Sequence, residues 1–298
     1  ALFYTVLAGS VPLVTPGVVG LYGPAHEGCA VLLREYRRPE RVASWDEGRF
    51  ESVAQQLARL HAAFWDKSEE LRRFEWLKEP QVDLSGFREF ALASWRGLWA
   101  QERLRPVFPA PVITRIERAV ELVTGAAGEP ASPDYAPPHP APQSAPGRPT
   151  ASERALPHSA HEHPALHLAV PELPVTLCHG DAHHENLLVR EDGAWVWADW
   201  QEVGLGYGPD DVSFFFQRAV AAGGKADLAR MLRAYRAELE RKIGKAVAFA
   251  ALWRRAVFSE VTTRLVHWPA YLQQAPEERV RTHVSRVMEL LSELDLGA

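Results

Sequence analysis

The residues of this chain that are best suited to chemistry lie between His179 and Trp200, in the sequence HGDAHHENLLVREDGAWVWADW. The segment begins with a polar loop that carries Asp181 and Asn186, and it ends at Asp199. A carboxylate can accept a proton from a hydroxyl group, and carboxylate and amide oxygens are hard ligands that suit Mg²⁺. These residue types predict a site that binds a divalent cation and places a hydroxyl group beside it.

Two short apolar runs around a turn would position these residues. Residues 187–189 and 195–198 flank the turn sequence Glu-Asp-Gly at residues 191–193, a pattern that predicts a β-hairpin. The hairpin would return the chain to the end of the polar loop and place Asp199 there. A further short strand is predicted at residues 175–178, leading into the loop.

The polar loop has the spacing of a known catalytic loop. Protein kinases carry H-R-D-x-x-x-x-N followed by a metal-binding Asp, and here Gly180 stands at the Arg position. The form H-G-D-x-x-x-x-N followed by A-D-W resembles the aminoglycoside phosphotransferase and choline kinase-like family of small-molecule kinases. The segment LARLH at residues 57–61 and the segment GPDDV at residues 208–212 are also similar to segments of that family.

The resemblance implies an α+β protein-kinase-like fold and an ATP-dependent transfer of the γ-phosphate to a hydroxyl of a small molecule. It implies that Asp181 is the catalytic base and that Asn186 and Asp199 hold Mg²⁺. His179 and Asp211 would support the loop. Transfer of this kind depends mainly on positioning and on neutralisation of charge.

The resemblance also implies a hinge that binds adenine through its backbone. An antiparallel pair of strands is predicted at residues 18–22 and 29–34, and the second strand would end at this hinge. The hinge candidates are Leu33, Arg34, Glu35 and Tyr36.

Acceptor recognition is expected from residues around and after the hairpin. The candidates are His183, Glu202, Asp210 and Glu260. His61 is expected to be a packed structural histidine, because a single His on an amphipathic helix has no partner in the sequence.

An alternative interpretation is a zinc site, because six histidines accumulate locally. They are His158, His161, His163, His179, His183 and His184. Zinc needs three or four ligands in a fixed geometry, so we favour the simpler interpretation that variable positions of a polar loop happen to be histidine.

Helical periodicity predicts most of the remaining chain. Ser44 and Glu47 form a capping box at the start of a helix that runs to about residue 65. Further helices are predicted at residues 68–78, 86–104, 111–123, 210–221, 225–243, 245–266 and 276–295. Residues 125–168 are rich in Ala, Pro and His, a composition that predicts a disordered insertion within the domain.

Composition excludes several classes of protein. The chain has 298 residues, a net charge of −5 and 47% hydrophobic residues, which gives no reason to expect a nucleic acid or an anionic membrane as partner. No apolar run reaches the roughly 18 residues that a transmembrane helix needs. Two cysteines predict no disulfide framework, and we expect a cytoplasmic protein with a small hydroxylated molecule as its partner.

The family pattern is incomplete at the beginning of the sequence. The first lysine is Lys67, and no glycine-rich strand-turn-strand precedes residue 30. We therefore expect that residues 1–34 are the remnant of an N-terminally truncated lobe and residues 35–298 the catalytic lobe. We also expect an exposed sheet edge and little or no phosphotransfer, and the alternative to an enzyme is a non-catalytic nucleotide-binding module.

Overall fold

The computed structural model describes residues 1–23, 30–80, 83–125 and 173–294. The predicted insertion at residues 125–168 therefore lies outside the described residues, except for Gly125. Two compact units are present. The first combines the described residues of Ala1–Val82 and Val170–Val261, and the second combines those of Asp83–Ala169 and Thr262–Ala298.

The described residues form three two-stranded antiparallel sheets, all in the first unit. Strand β1 pairs with β2, β3 with β6, and β4 with β5. The strands are β1 Val18–Tyr22, β2 Ala30–Leu33, β3 Thr176–Cys178, β4 Leu187–Val189, β5 Trp195–Trp197 and β6 Gly204–Gly206.

The described residues form eight α-helices. They are α1 Glu47–Ala63, α2 Ser68–Leu71, α3 Arg88–Trp99, α4 Ala110–Val123, α5 Gly208–Ala221, α6 Leu228–Ile243, α7 Phe249–Thr262 and α8 Glu277–Glu293. None of the helices in the described part of the chain is both long enough and apolar enough to cross a membrane.

Helix α1 is the central helix of the first unit, and it packs along α6. Its buried side chains recur at helical spacing and include Phe50, Val53 and Leu57. The predicted capping box is wrong, because the carboxylate of Asp46 accepts the backbone N–H of Arg49 (2.9 Å). Asp46 therefore occupies the N-cap position, where a short acceptor side chain is favoured, and Ser44 lies in a preceding 3-10 turn.

Two predicted helices are shorter than their apolar pattern suggested. The segment predicted at residues 68–78 is helical only in α2, because Lys78 runs beside β6 and its carbonyl accepts the N–H of Leu205 (2.7 Å). The helix predicted at residues 245–266 is α-helical over Phe249–Thr262 and continues as the π-helical turn Thr263–His267. At Lys78 the contact with β6 overrides the helical pattern.

The second unit has its own helical core. Helix α3 packs against α4 and against the π-helical turn, and α8 packs against α4. Trp95 on α3 is fully buried, and its indole N–H donates to the carbonyl of Leu265 (2.8 Å). The buried indole therefore has the hydrogen-bond partner that its N–H requires.

The pair β1–β2 has little cover within the described residues. Val19, Tyr22 and Leu32 are 64%, 62% and 49% exposed, whereas core positions of the same unit are at or near zero. An apolar two-stranded ribbon with open edges can pair with other chains. An exposed sheet edge was expected from the sequence, and self-association through this ribbon is a prediction that follows from it.

Candidate active site

The hairpin β4–β5 brings the two ends of the polar segment together. Leu187 faces Trp197 in the strand register, and one residue further the N–H of Ala198 donates to the carbonyl of Asn186 (2.9 Å). Asp199 is the next residue after this pair. The register of the hairpin thus places Asn186 beside the residue that precedes Asp199.

Asp211 anchors the loop that precedes the hairpin. It lies in the first turn of α5, and it accepts the backbone N–H groups of His179 (2.7 Å) and Gly180 (3.1 Å) on its two carboxylate oxygens. The Asp211 side chain is buried, so both hydrogen bonds lie away from water. A buried carboxylate that accepts backbone N–H groups fixes the path of those residues.

His61 of α1 also contacts the Asp211 carboxylate, at the oxygen that accepts the N–H of His179. The Nε2 atom of His61 lies 3.1 Å from Asp211 Oδ2, and its Nδ1 atom lies 3.0 Å from the hydroxyl of Tyr235 on α6. Burial alone would raise the pKa of Asp211, but the hydrogen bond and charge of His61 and the amide of His179 hold it below its usual value. His61 is therefore a buried structural residue, as predicted.

His179 is a neutral imidazole with a defined tautomer. Its Nε2 atom lies 3.0 Å from the carbonyl oxygen of Ala198, which can only accept, so Nε2 carries the proton. Its Nδ1 atom accepts the backbone N–H of Asp181 (3.3 Å). Burial lowers the pKa of His179. The ring thus links the polar loop to the end of β5 without carrying a charge.

Aromatic side chains, including one from the first turn of the chain, pack against His179. The ring of Phe3 stacks on Trp200 at 4.2 Å between centroids, and Trp200 lies 4.5 Å from His179. All three side chains are buried. The N-terminal helical turn Phe3–Leu7 is thereby packed against the catalytic loop.

Gly180 is required by both its backbone conformation and its surroundings. Its φ is +80°, in the left-handed region, and a Cβ there would lie 2.8 Å from the carbonyl carbon of Glu202 and closer still to the carbonyl oxygen. No side chain fits at that distance. This explains why the loop has glycine where protein kinases have arginine.

Asp181 and Asn186 are in direct contact. The Nδ2 group of Asn186 donates to the Asp181 carbonyl (2.9 Å) and to its carboxylate Oδ2 (3.1 Å). Burial would raise the pKa of Asp181, but the hydrogen bond and charge of His183 and the hydrogen bond of Asn186 lower it. Asp181 is therefore ionised at neutral pH, as a proton acceptor must be.

Asp199 is held in the left-handed region with φ of 60°, which is uncommon for a residue other than glycine and is typical of functional sites. Partial burial and the charge of Asp181 raise its pKa. Beside it, the buried Tyr4 hydroxyl has no hydrogen-bond partner among the described residues. Burial and the charge of Asp199 raise the pKa of Tyr4 to about 12.

The donor set of these residues fits Mg²⁺. The carboxylate of Asp199 and the amide oxygen of Asn186 are hard oxygen ligands. Partial burial and, after it, the negative charge of Asp181 raise the pKa of Asp199, and a bound divalent cation would offset that charge.

A cavity of about 460 Å³ opens beside Asp199 within the first unit. Its walls include Leu33, Phe3, Trp76 and Trp200. A volume of about 460 Å³ falls within the range of small-molecule sites.

The hinge candidates are placed at the end of β2. Leu33 lines the cavity. The backbone N–H of Arg34 already donates to Gly17 (2.8 Å), and the Tyr36 hydroxyl accepts the N–H of the same glycine (3.0 Å). Glu35 is exposed.

The acceptor candidates differ in their surroundings. His183 contacts Asp181, with 3.4 Å between its Nε2 and the carboxylate. Glu202 forms an ion pair with Lys78. Glu260 is fully buried.

Asp210 is engaged by a bidentate ion pair. Arg255 of α7 donates to both of its carboxylate oxygens (2.7 and 2.5 Å) while its guanidinium lies over the ring of Tyr207 (4.1 Å). An acceptor that used Asp210 would have to displace this pair.

The zinc interpretation gains no support from the described histidines. Both ring nitrogens of His179 are used in hydrogen bonds to the backbone. The group of described side chains close enough together to hold a metal is His61, Cys178 and Asp211. There His61 and Asp211 already bond to each other. His158, His161 and His163 lie outside the described residues.

Some contacting residues were not predicted from the sequence. Tyr235 and Lys78 are 174 and 124 residues away from the partners that they contact, His61 and Glu202. No local pattern marks residues at such separations. The need for glycine at position 180 was visible only as a departure from the protein-kinase loop.

The architecture and the loop geometry define a protein-kinase-like phosphotransferase fold of class α+β, as predicted. The structure is similar to that of aminoglycoside 2'-phosphotransferase-IIIa in its GDP complex, with a TM-score of 0.50 and 12% sequence identity over 98% of this chain and 79% of that one. A choline/ethanolamine kinase family protein from Mesorhizobium loti matches with a TM-score of 0.48 and 15% identity, over 95% of this chain and 76% of that one. The likeness to aminoglycoside 2'-phosphotransferase-IIIa, at 12% identity, shows the fold alone.

Comparisons of the sequence itself gave no relatives. No protein-family model matches the chain, and no curated protein matches it.

Proposed function

We propose that this protein is a small-molecule kinase that moves the γ-phosphate of ATP to a hydroxyl group of its acceptor. The observation that carries the proposal is the juxtaposition of Asp181, Asn186 and Asp199. The hairpin register places Asn186 next to the residue before Asp199, and Asn186 bonds Asp181 directly. A base and a set of metal ligands side by side are the parts that phosphoryl transfer requires.

Asp181 is the proposed base. Its pKa is lowered, so it is ionised, and it accepts the proton of the acceptor hydroxyl as the new bond to phosphorus forms. Asn186 and Asp199 would hold Mg²⁺, which supplies charge neutralisation at the phosphate oxygens when it is bound. The buried carboxylate of Asp211 holds the loop so that these groups keep their relative positions.

The cavity beside Asp199 is the proposed nucleotide site. Its apolar and aromatic walls can take a purine base, while Asp199 stands at its border where a metal-bound phosphate would be needed. The structurally similar aminoglycoside 2'-phosphotransferase-IIIa was crystallised with GDP, which supports a nucleotide as ligand of this fold.

The binding experiment measures the affinity for ATP by calorimetry with and without Mg²⁺. We expect Mg²⁺ to tighten binding, and Asp199→Asn to remove most of that effect, by about 10- to 100-fold. Asp192→Asn is the matched control. It removes a carboxylate from the turn of the same hairpin, where Asp192 pairs with Arg190. The proposal is wrong if Asp199→Asn binds Mg²⁺ and ATP as well as the parent protein.

The turnover experiment measures consumption of ATP over a panel of hydroxylated acceptors, including neutral sugars, amino alcohols and aminoglycosides. Asp181→Asn should leave Mg²⁺-dependent ATP binding intact and lower kcat by at least about 100-fold, since it removes the base. Mg²⁺-dependent binding without turnover on any acceptor would instead identify a non-catalytic nucleotide-binding module.

A further inference from the structure

His183 lies between the proposed base and a charged pair on the protein surface. Its Nε2 atom is 3.4 Å from Asp181 Oδ2, and its Nδ1 atom is 3.5 Å from Glu185 Oε2. We propose that His183 is a positioning residue that, together with Asn186, holds Oδ2 of Asp181 and leaves Oδ1 as the oxygen that accepts the proton. The inference rests on the proposed function of Asp181.

The contacts of the two ring nitrogens of His183 determine where its protons lie. The Nδ1 atom accepts the backbone N–H of Glu185 (3.3 Å), as the cap of the short turn His184–Asn186. A neutral imidazole that accepts at Nδ1 carries its proton at Nε2, and an imidazolium carries protons on both nitrogens. In either state Nε2–H faces the carboxylate of Asp181.

The two oxygens of the Asp181 carboxylate have different contacts. Oδ2 accepts a hydrogen bond from Asn186 Nδ2 (3.1 Å) and lies at ion-pair distance from His183 Nε2 (3.4 Å). Within the described residues no hydrogen bond or ion pair reaches Oδ1. The hydrogen bond and the His183 contact on one oxygen restrain the torsion of the side chain, and the second oxygen keeps its lone pairs for the acceptor hydroxyl.

Contacts with α5 hold His183 and its turn in place. The residue is 8% exposed, and the ring of Phe214 on α5 meets its ring edge-on at 6.3 Å between centroids. Glu185 in turn accepts the guanidinium of Arg218, also on α5 (2.6 Å). The turn that His183 caps is thereby tied to the same helix whose first turn carries Asp211.

The position of Asp181 should affect the rate of phosphoryl transfer. In phosphoryl transfer most of the catalysis comes from positioning, so a base that rotates freely loses a large part of its effect. Loss of the His183 donor should therefore lower kcat without changing the affinity for ATP, since His183 does not touch the proposed metal ligands with its side chain.

The direct test needs no turnover. In ¹⁵N-labelled protein, long-range proton–nitrogen NMR spectra of the ring identify which nitrogen of His183 is protonated, with His183→Gln assigning the signals. We expect a protonated Nε2 whose signal shifts in Asp181→Asn, because the charge on its acceptor is removed. A His183 ring protonated only at Nδ1, or an Nε2 signal that Asp181→Asn leaves unchanged, would overturn the inference.

The functional test compares two substitutions of His183 with a control at the next residue. His183→Leu should lower kcat by about 10- to 100-fold with KM unchanged. His183→Gln places an N–H near the position of Nε2 and should restore most of the rate. His184→Gln is the control, because it changes a neighbouring histidine that does not contact Asp181. Equal rates for His183→Leu and the parent protein, or no rescue by His183→Gln, would count against the positioning role.

The two tests separate the inference from the proposed function. Absence of Mg²⁺-dependent ATP binding in the parent protein would refute the proposed function, while the NMR spectra would still decide whether His183 holds Asp181. Normal ATP binding with a His183 signal that does not depend on Asp181 would refute the inference alone.

Discussion

Replacement of Gly180 by alanine should displace the catalytic loop, and its cost can be worked out from two features of the structure. The first is the backbone conformation, because φ is +80° and an alanine in this left-handed region destabilises the folded state by about 1–2 kcal/mol. The second is steric, since the added Cβ would lie 2.8 Å from the carbonyl carbon of Glu202 and closer to its oxygen. A backbone obstacle cannot rotate away, so overpacking adds about 1–3 kcal/mol.

Gly193 offers a control that isolates the steric part. It lies in the hairpin turn with φ of +85°, and a Cβ there would meet no atom within 4 Å. Gly193→Ala should therefore cost only the backbone part, about 1–2 kcal/mol. Gly180→Ala should cost about 2–5 kcal/mol, the sum of both parts.

The assay is urea unfolding monitored by circular dichroism, with the free energies of unfolding of both variants compared with that of the parent protein. The functional readout is Mg²⁺-dependent ATP binding, because a shift of Gly180 also moves its neighbour Asp181. Gly180→Ala should weaken it, whereas Gly193→Ala should not. If Gly180→Ala is no more destabilising than Gly193→Ala, the close approach of the loop to Glu202 is not present in solution and the reasoning fails.

Three further predictions concern stability. Glu238→Gln should lower the free energy of unfolding by about 1–2 kcal/mol at pH 7. The reason is that the hydrogen bonds of Arg241 and Arg59 lower the pKa of Glu238 from 4.5 to about 2. The stabilisation is therefore complete above pH 4.5 and is lost as the pH falls toward 2. Asp211→Asn should cost about 3 kcal/mol, and because the folded pKa is lowered, this contribution is present above pH 3.8 and is lost as the pH falls below that value. Tyr4→Phe should stabilise the protein by about 1 kcal/mol, because it removes a buried hydroxyl that has no partner among the described residues.

Urea unfolding checks all three, at pH 7 and again in the acid range for the two acidic residues. The difference between Glu238→Gln and the parent protein must shrink between pH 4.5 and pH 2, and a constant difference would contradict the assigned pKa. A loss below about 1 kcal/mol for Asp211→Asn would mean that the loop does not depend on its carboxylate. Destabilisation by Tyr4→Phe would show that the hydroxyl has a hydrogen-bond partner.

The local pattern of the sequence predicted much of the candidate site. The D-x-x-x-x-N spacing of Asp181 and Asn186 and the hairpin that leads to Asp199 were predictable, because a two-stranded turn is determined by nearby residues. The helices with a strong apolar period were also predicted, with ends that shifted by a few residues. The start of α1 was missed because two short acceptor side chains, Ser44 and Asp46, compete for the cap and only the backbone path decides between them.

Contacts between distant residues were decided only by the tertiary structure. His61 had no partner in the sequence, yet it lies between Asp211 and Tyr235, 150 and 174 residues away. Gly180 departs from the protein-kinase pattern in the sequence, but its physical reason is the backbone of Glu202. The sequence alone therefore determined which residues could carry the chemistry and the local elements that bear them, because spacing and periodicity are local properties. Which of those residues are buried, paired or free to react depends on segments that meet only when the chain folds.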